Sequence, residues 1–112
     1  MPKIVVSGID KEIMRSVAPG IVKDIAEVLE CPMDWISLEL VPSVYLDISG
    51  EAEHCPMVEI YWFKRPMETG KRVADIFSRE LAKAGKPRVI IQIIDTLQEN
   101  YFDLSLEDAP IP

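Results

Sequence analysis

A chain of 112 residues with 48% hydrophobic side chains and a net charge of −7 is long enough for one domain that buries its own core. Its acidity, 19 Asp and Glu against 12 Lys and Arg, excludes the basic surface that nucleic acids require, and no apolar run approaches the ~20 residues of a membrane span. Cys31 and Cys55 are too few for a disulfide scaffold and no signal-peptide pattern opens the chain, so reduced thiols and a cytoplasmic location are expected.

Lys3 to Ser7, with Ile4-Val5-Val6 stopped by Gly8, reads as a buried strand. From Asp10, the expected N-cap, apolar residues at Ile13, Val17, Ile21, Ile25 and Val28 share one helical stripe, and Pro19-Gly20 inside it predicts a kink or a restart. Pro32 ends that helix. Trp35 to Leu46 then alternates, with Ile36, Leu38 and Leu40 on one face, and Pro42 marks an edge or bulge. Asp47 to His54, with Gly50 and three carboxylates, reads as the main loop. Met57 to Phe63 is a third strand, with Met57, Glu59, Tyr61 and Phe63 on one side and Val58, Ile60 and Trp62 on the other. Pro66 to Ala84 is a second helix stopped by Gly85, and Val89 to Ile94 is a fourth strand apolar enough to be buried on both faces. A short strand over Tyr101 to Leu104 and a tail over Ser105 to Pro112 complete the chain.

The order β-α-β, loop, β-α-β predicts an α/β domain over residues 1–104, with a four-stranded sheet and two helices on one face. Met1-Pro2-Lys3-Ile4 aligns with Cys55-Pro56-Met57-Val58, and Cys31-Pro32 with Lys86-Pro87, at nearly the same spacing. One β-α-β unit, duplicated over about residues 1–46 and 55–95, accounts for this. The same order also fits an interleaved ferredoxin-like sandwich.

Pro2 opening a strand in such a repeated chain resembles the tautomerase superfamily with the fold of macrophage migration inhibitory factor and 4-oxalocrotonate tautomerase. Arg88-Val89-Ile90-Ile91-Gln92 is similar to that family's penultimate strand, and Cys31-Pro32-Met33-Asp34-Trp35-Ile36 to its helix-to-strand segment. Pro56 to Phe63, with Leu38-Glu39-Leu40 and Tyr45, resembles a bacterial branch of uncharacterised tautomerase-like proteins (DUF1904-like). The resemblance implies a cofactor-free enzyme with no metal, acting on a small 2-oxo or enol carboxylate, with a ligand-binding or structural trimer that kept the fold without the chemistry as the alternative. It further implies a homotrimer whose pockets lie between subunits, for which Trp62, Phe63 and Tyr101 are the expected buried contacts. Cys31 and Gln92 become candidate substrate-binding residues. Two departures stand out: Cys31 replaces a lysine, and Ile90 an aromatic hydroxyl.

The chemistry of Pro2 stands apart from the family name. With Met1 removed it presents a secondary α-amine, whose ordinary pKa of about 7.7–8.0 falls further in apolar surroundings. A free amine near neutral pH can take a proton from carbon beside a carbonyl and return it elsewhere, which is keto–enol tautomerisation. A proline opening a strand also has a purely structural reading, because a missing N–H costs nothing there. Glu39 and Glu59, inside apolar alternations, can hold a protonated Pro2 or donate a proton if both face one pocket, and Tyr45 and Tyr61 offer phenols. Lys3, Lys64, Arg65 and Arg88 are candidate anion contacts or solvated strand-end charges. His54 beside Cys55 falls short of a metal site. The carboxylates of the Asp47–Cys55 loop disfavour a dicarboxylate substrate if the pocket mouth lies nearby.

Overall fold

The computed structural model describes residues 2–106. Four strands form the main sheet in the order β2-β1-β5-β6: β1 is Lys3–Ser7, β2 Ser37–Leu40, β5 Met57–Phe63 and β6 Ile90–Thr96. β1 runs parallel to β2 and β5 parallel to β6, while β1 and β5 meet antiparallel at the centre. Helix α1, Lys11–Leu29, links the first pair and α2, Met67–Lys83, the second. Each β-α-β unit thus keeps its own two strands adjacent, which rules out the interleaved sandwich.

The two units match in detail. The carbonyl of Pro2 accepts from Ser37 N and that of Pro56 from Ile90 N, both at 3.0 Å. α1 closes with Cys31 N donating to Ala26 O (3.1 Å), and α2 with Lys86 N donating to Leu81 O (2.8 Å), the same helix-ending motif. Its left-handed residue is Gly85 in one unit and Glu30, with φ 52°, in the other.

Alternation places Ile4, Val6, Val58, Ile60 and Trp62 on the helix-covered face, where they pack with Ile21, Ile25, Val73, Phe77 and Leu81. The side chains between them, including Val5, Glu59 and Tyr61, stand on the uncovered face, half-buried. Asp10 caps α1 as expected, accepting from Glu12 N at 2.8 Å. α1 does not restart at Pro19-Gly20; it runs through, because both residues lie on its exposed side and water can satisfy the carbonyl that Pro19 leaves without a donor.

Three other expectations are corrected. The loop from Asp47 contains structure: β3, Tyr45–Asp47, pairs with β4, Gly50–Ala52, as a separate hairpin. Asp47 organises its turn, accepting from the amide (2.8 Å) and hydroxyl (2.7 Å) of Ser49, and these bonds, the hydroxyl's first, hold its carboxyl below the usual value. β6 is not buried on both faces, since it is an edge strand with Gln92 and Ile93 exposed. Tyr101 to Leu104 forms no strand; a 3₁₀ turn at Gln98–Asn100 leads into exposed coil. Of the expected tail, Ser105 and Leu106 are exposed coil and residues 107–112 lie outside the described residues.

Candidate functional site

The sheet has two chemically different ends. At one end stand the starts of β1 and β2 and the end of β5, with Pro2, Cys31, Lys64 and Arg65. At the other stand Gly8, Tyr45, His54, Pro56 and Lys86.

Pro2 is fully buried. Carrying the register one residue beyond Lys3 sets it between Ile36 and Trp62, which are 8% and 3% exposed on the helix-covered face. Cys31, half-buried against the core, follows α1 at the same end. Pro56, equally buried, holds the matching place at the far end, with Lys86-Pro87 where the Pro2 end has Cys31-Pro32.

Glu39, Glu59 and Gln92 fall in one lateral row across the uncovered face, with Val5 between the two acids. The row stands three residues from Pro2, about 10 Å along the strand, and on the opposite face. Tyr61 donates to Glu59 Oε2 at 3.1 Å; this bond first, then desolvation and the charge of the same carboxylate, raises its phenol above the ordinary 10.0. Lys3 Nζ lies 4.0 Å from Glu39 Oε2, both side chains more than half exposed, so the pair contributes little. A cleft of about 250 Å³ opens beside Lys3, Tyr61, Phe63 and Tyr101.

Tyr45 lies at the far end. Its hydroxyl is 3.2 Å from Ser7 Oγ, and its ring stacks on His54 with centroids 4.2 Å apart. Because a carbonyl only accepts, the 2.7 Å contact of His54 Nδ1 with Cys55 O fixes the proton on Nδ1. Gly8, at φ 76°, packs so closely here that an added Cβ would stand 2.9 Å from Cys55 O. The structure therefore brings Pro2 and Cys31 to one end, Glu39, Glu59 and Gln92 to mid-sheet, and Tyr45 with the acidic hairpin to the other end.

Trp62 is buried by its own chain rather than left for a neighbour, whereas Phe63 meets Tyr101 edge-on at 5.1 Å and Tyr101 is 40% exposed. The sequence underrated Arg65, whose guanidinium lies 5.3 Å over the Trp62 ring with Nε buried and without a hydrogen-bond partner. The three-residue spacing from Trp62 was its visible signal. Among the described residues no cluster of three or more His, Cys, Asp or Glu could hold a metal ion, and no helix is long and apolar enough to cross a membrane.

No curated protein matches the sequence. A solved domain of unknown function (DUF1904) from Sebaldella termitidis is 27% identical, with 92% of this chain and 95% of that one covered and a TM-score of 0.85. A macrophage migration inhibitory factor-like protein of Entamoeba histolytica superposes with a TM-score of 0.71 at 17% identity, over 93% and 96% of the two chains. A fused 4-OT, solved as an asymmetric trimer, gives 0.71 at 14% identity, over 90% and 91%. Residues 1–104 match the model of the same domain of unknown function. With two β-α-β units sharing one sheet and these structures superposing on it, the chain belongs to the DUF1904 family and has the tautomerase fold of macrophage migration inhibitory factor and 4-OT.

Proposed function

We propose that the protein is a cofactor-free tautomerase-like enzyme in which Pro2, freed by removal of Met1, is the general base acting on a small 2-oxo or enol carboxylate. The observation that supports this above the rest is the complete burial of Pro2 at the start of a central strand of a tautomerase fold. Apolar surroundings oppose the ammonium form, so the amine stays available to take a proton from the carbon next to the substrate carbonyl. The enolate that forms takes the proton back at its other end. Three copies are the proposed assembly: the uncovered sheet face with Val5, Met57 and Ile94 is half-buried in a single chain, and the similar fused 4-OT is a trimer. Cys31, Glu39, Tyr45, Glu59 and Gln92 remain the proposed substrate contacts. Because Tyr45 is remote from Pro2 within one chain, and Glu39, Glu59 and Gln92 stand on the opposite face of the sheet, their parts require a neighbouring subunit.

A second reading, a ligand-binding or structural trimer without the chemistry, is favoured by Pro56. It shares Pro2's burial and carbonyl hydrogen bond although, as an internal residue, it can never be a base. Packing alone therefore accounts for a proline at that position. Intact mass of protein from the native host separates the two: Met1 removed keeps the base available, while Met1 retained leaves only the second reading. Enol-to-keto conversion of phenylpyruvate then tests the enzyme. Pro2→Gly should lose about a hundredfold or more in kcat/KM and Cys31→Ala only about a few-fold.

A further inference from the structure

The end of the sheet remote from Pro2 carries a cavity of about 550 Å³, bounded by the β3–β4 hairpin and the residues that lead into α1. Its walls are polar, and they hold unlike charges that do not meet. Lys86 lines it together with Glu51, Glu53 and Asp10, yet among the described residues neither the lysine nor any of these acids makes an ion pair. Opposite charges that line one cavity and stay apart leave room for a ligand carrying both, each set against its opposite.

The backbone sets where these groups stand. Lys86 N donates to Leu81 O at 2.8 Å, which closes α2, so the half-buried lysine leaves from a fixed helix end. Glu51 and Glu53 flank Ala52 on the hairpin. Tyr45, paired with Ala52, ties that hairpin to β1 through the 3.2 Å contact of its hydroxyl with Ser7 Oγ, and the His54 ring stacks on it at 4.2 Å. With the proton of the neutral ring on Nδ1 and engaged by Cys55 O, His54 Nε2 is an acceptor. Carboxylates and a ring nitrogen suit a positively charged N–H donor, whereas Lys86 suits a carboxylate.

The internal repeat shows what this end has and lacks. Lys86-Pro87 stands where the Pro2 end has Cys31-Pro32, and the buried Pro56 stands where that end has Pro2. A cation therefore occupies the place of a thiol, and the internal proline offers no amine. The far end can hold a charged ligand but has no counterpart of the base proposed at the other.

We infer that this cavity is a second binding site, for a small zwitterion of the α-amino acid class with a polar side chain. Lys86 takes the carboxylate, and Glu51 and Glu53 with His54 Nε2 take the ammonium group. The inference does not rest on the reading of Pro2. The test titrates the full chain at constant pH with millimolar L-serine and with two relatives that each lack one charge, N-acetyl-L-serine and ethanolamine. His54 is the one histidine of the chain, so its ring-proton NMR resonances report on the cavity directly. They should shift saturably with L-serine, and each single-charge probe should bind about tenfold or more weaker. Lys86→Met should erase the preference for L-serine over ethanolamine, and Glu51→Gln combined with Glu53→Gln the preference over N-acetyl-L-serine. Circular dichroism checks the fold of both variants; should Lys86→Met not fold, the three probes on the wild type and the glutamine variant still decide. Unmoved His54 resonances overturn the inference. So does either single-charge probe binding as tightly as L-serine, because the cavity then reads one charge and not two.

Discussion

Because Pro2 and Pro56 occupy equivalent buried positions but only Pro2 can present an amine, substituting them in parallel separates chemistry from packing. Pro56→Ala should cost about 1–2 kcal/mol in chemical denaturation and leave kcat/KM within about a few-fold, against the far larger loss expected of Pro2→Gly. Similar losses of activity in both would place the proline effect in the fold. Tyr61 offers a pH test. Its hydrogen bond to Glu59 raises the phenol above 10.0, so the folded chain holds that proton more tightly than the unfolded one. The resulting stabilisation is complete below the unfolded value and is lost as pH rises through the higher folded one. Phenolate absorbance, read as the difference between wild type and Tyr61→Phe, should show this late midpoint, and Glu59→Gln should bring it down. The role proposed for Pro2 could be framed from the sequence, because it needs only a position next to the initiator Met. The row of Glu39, Glu59 and Gln92 could not, because it depends on the register of three strand pairs.

At the scale of elements, the two helix ends are one motif written in different residues. Gly85 adopts positive φ without penalty, whereas Glu30 at φ 52° brings its Cβ against the following carbonyl. Glu30→Gly should therefore stabilise the protein by about 1 kcal/mol in chemical denaturation. Pro19→Ala, restoring a donor on an exposed helical face, should stabilise it by about 1–3 kcal/mol in chemical denaturation. The strand β5 was legible residue by residue because alternation alone assigns its faces. β6 was misread because an apolar composition does not say whether a strand is central or at an edge. The hairpin of β3 and β4 was hidden because three carboxylates and Gly50 mark a loop by composition, while the pairing of Tyr45 with Ala52 that defines it is carried by the backbone.

At the scale of the molecule, the uncovered face of the sheet should be closed by two further copies, and light scattering at micromolar concentration should give three times the chain mass. A monomer would remove the proposed assembly and leave the half-buried Val5, Met57 and Ile94 unexplained. The distribution of charge also revises one expectation about substrates. The hairpin with Asp47 and Glu51 follows β2 and so stands at the end of the sheet remote from Pro2, while Lys64 and Arg65 stand near it. Within one chain, repulsion from that hairpin therefore gives no reason to exclude a second carboxylate at the Pro2 end. The burial of Pro2 finally governs how the protein must be handled. Any residue joined ahead of it, whether Met1 or a purification tag, turns the nitrogen of this fully buried ring into an amide, which is not a base. By the proposed mechanism, protein carrying an extension at that end has no base, so an affinity handle belongs at the other terminus, past the exposed coil of Leu104 to Leu106.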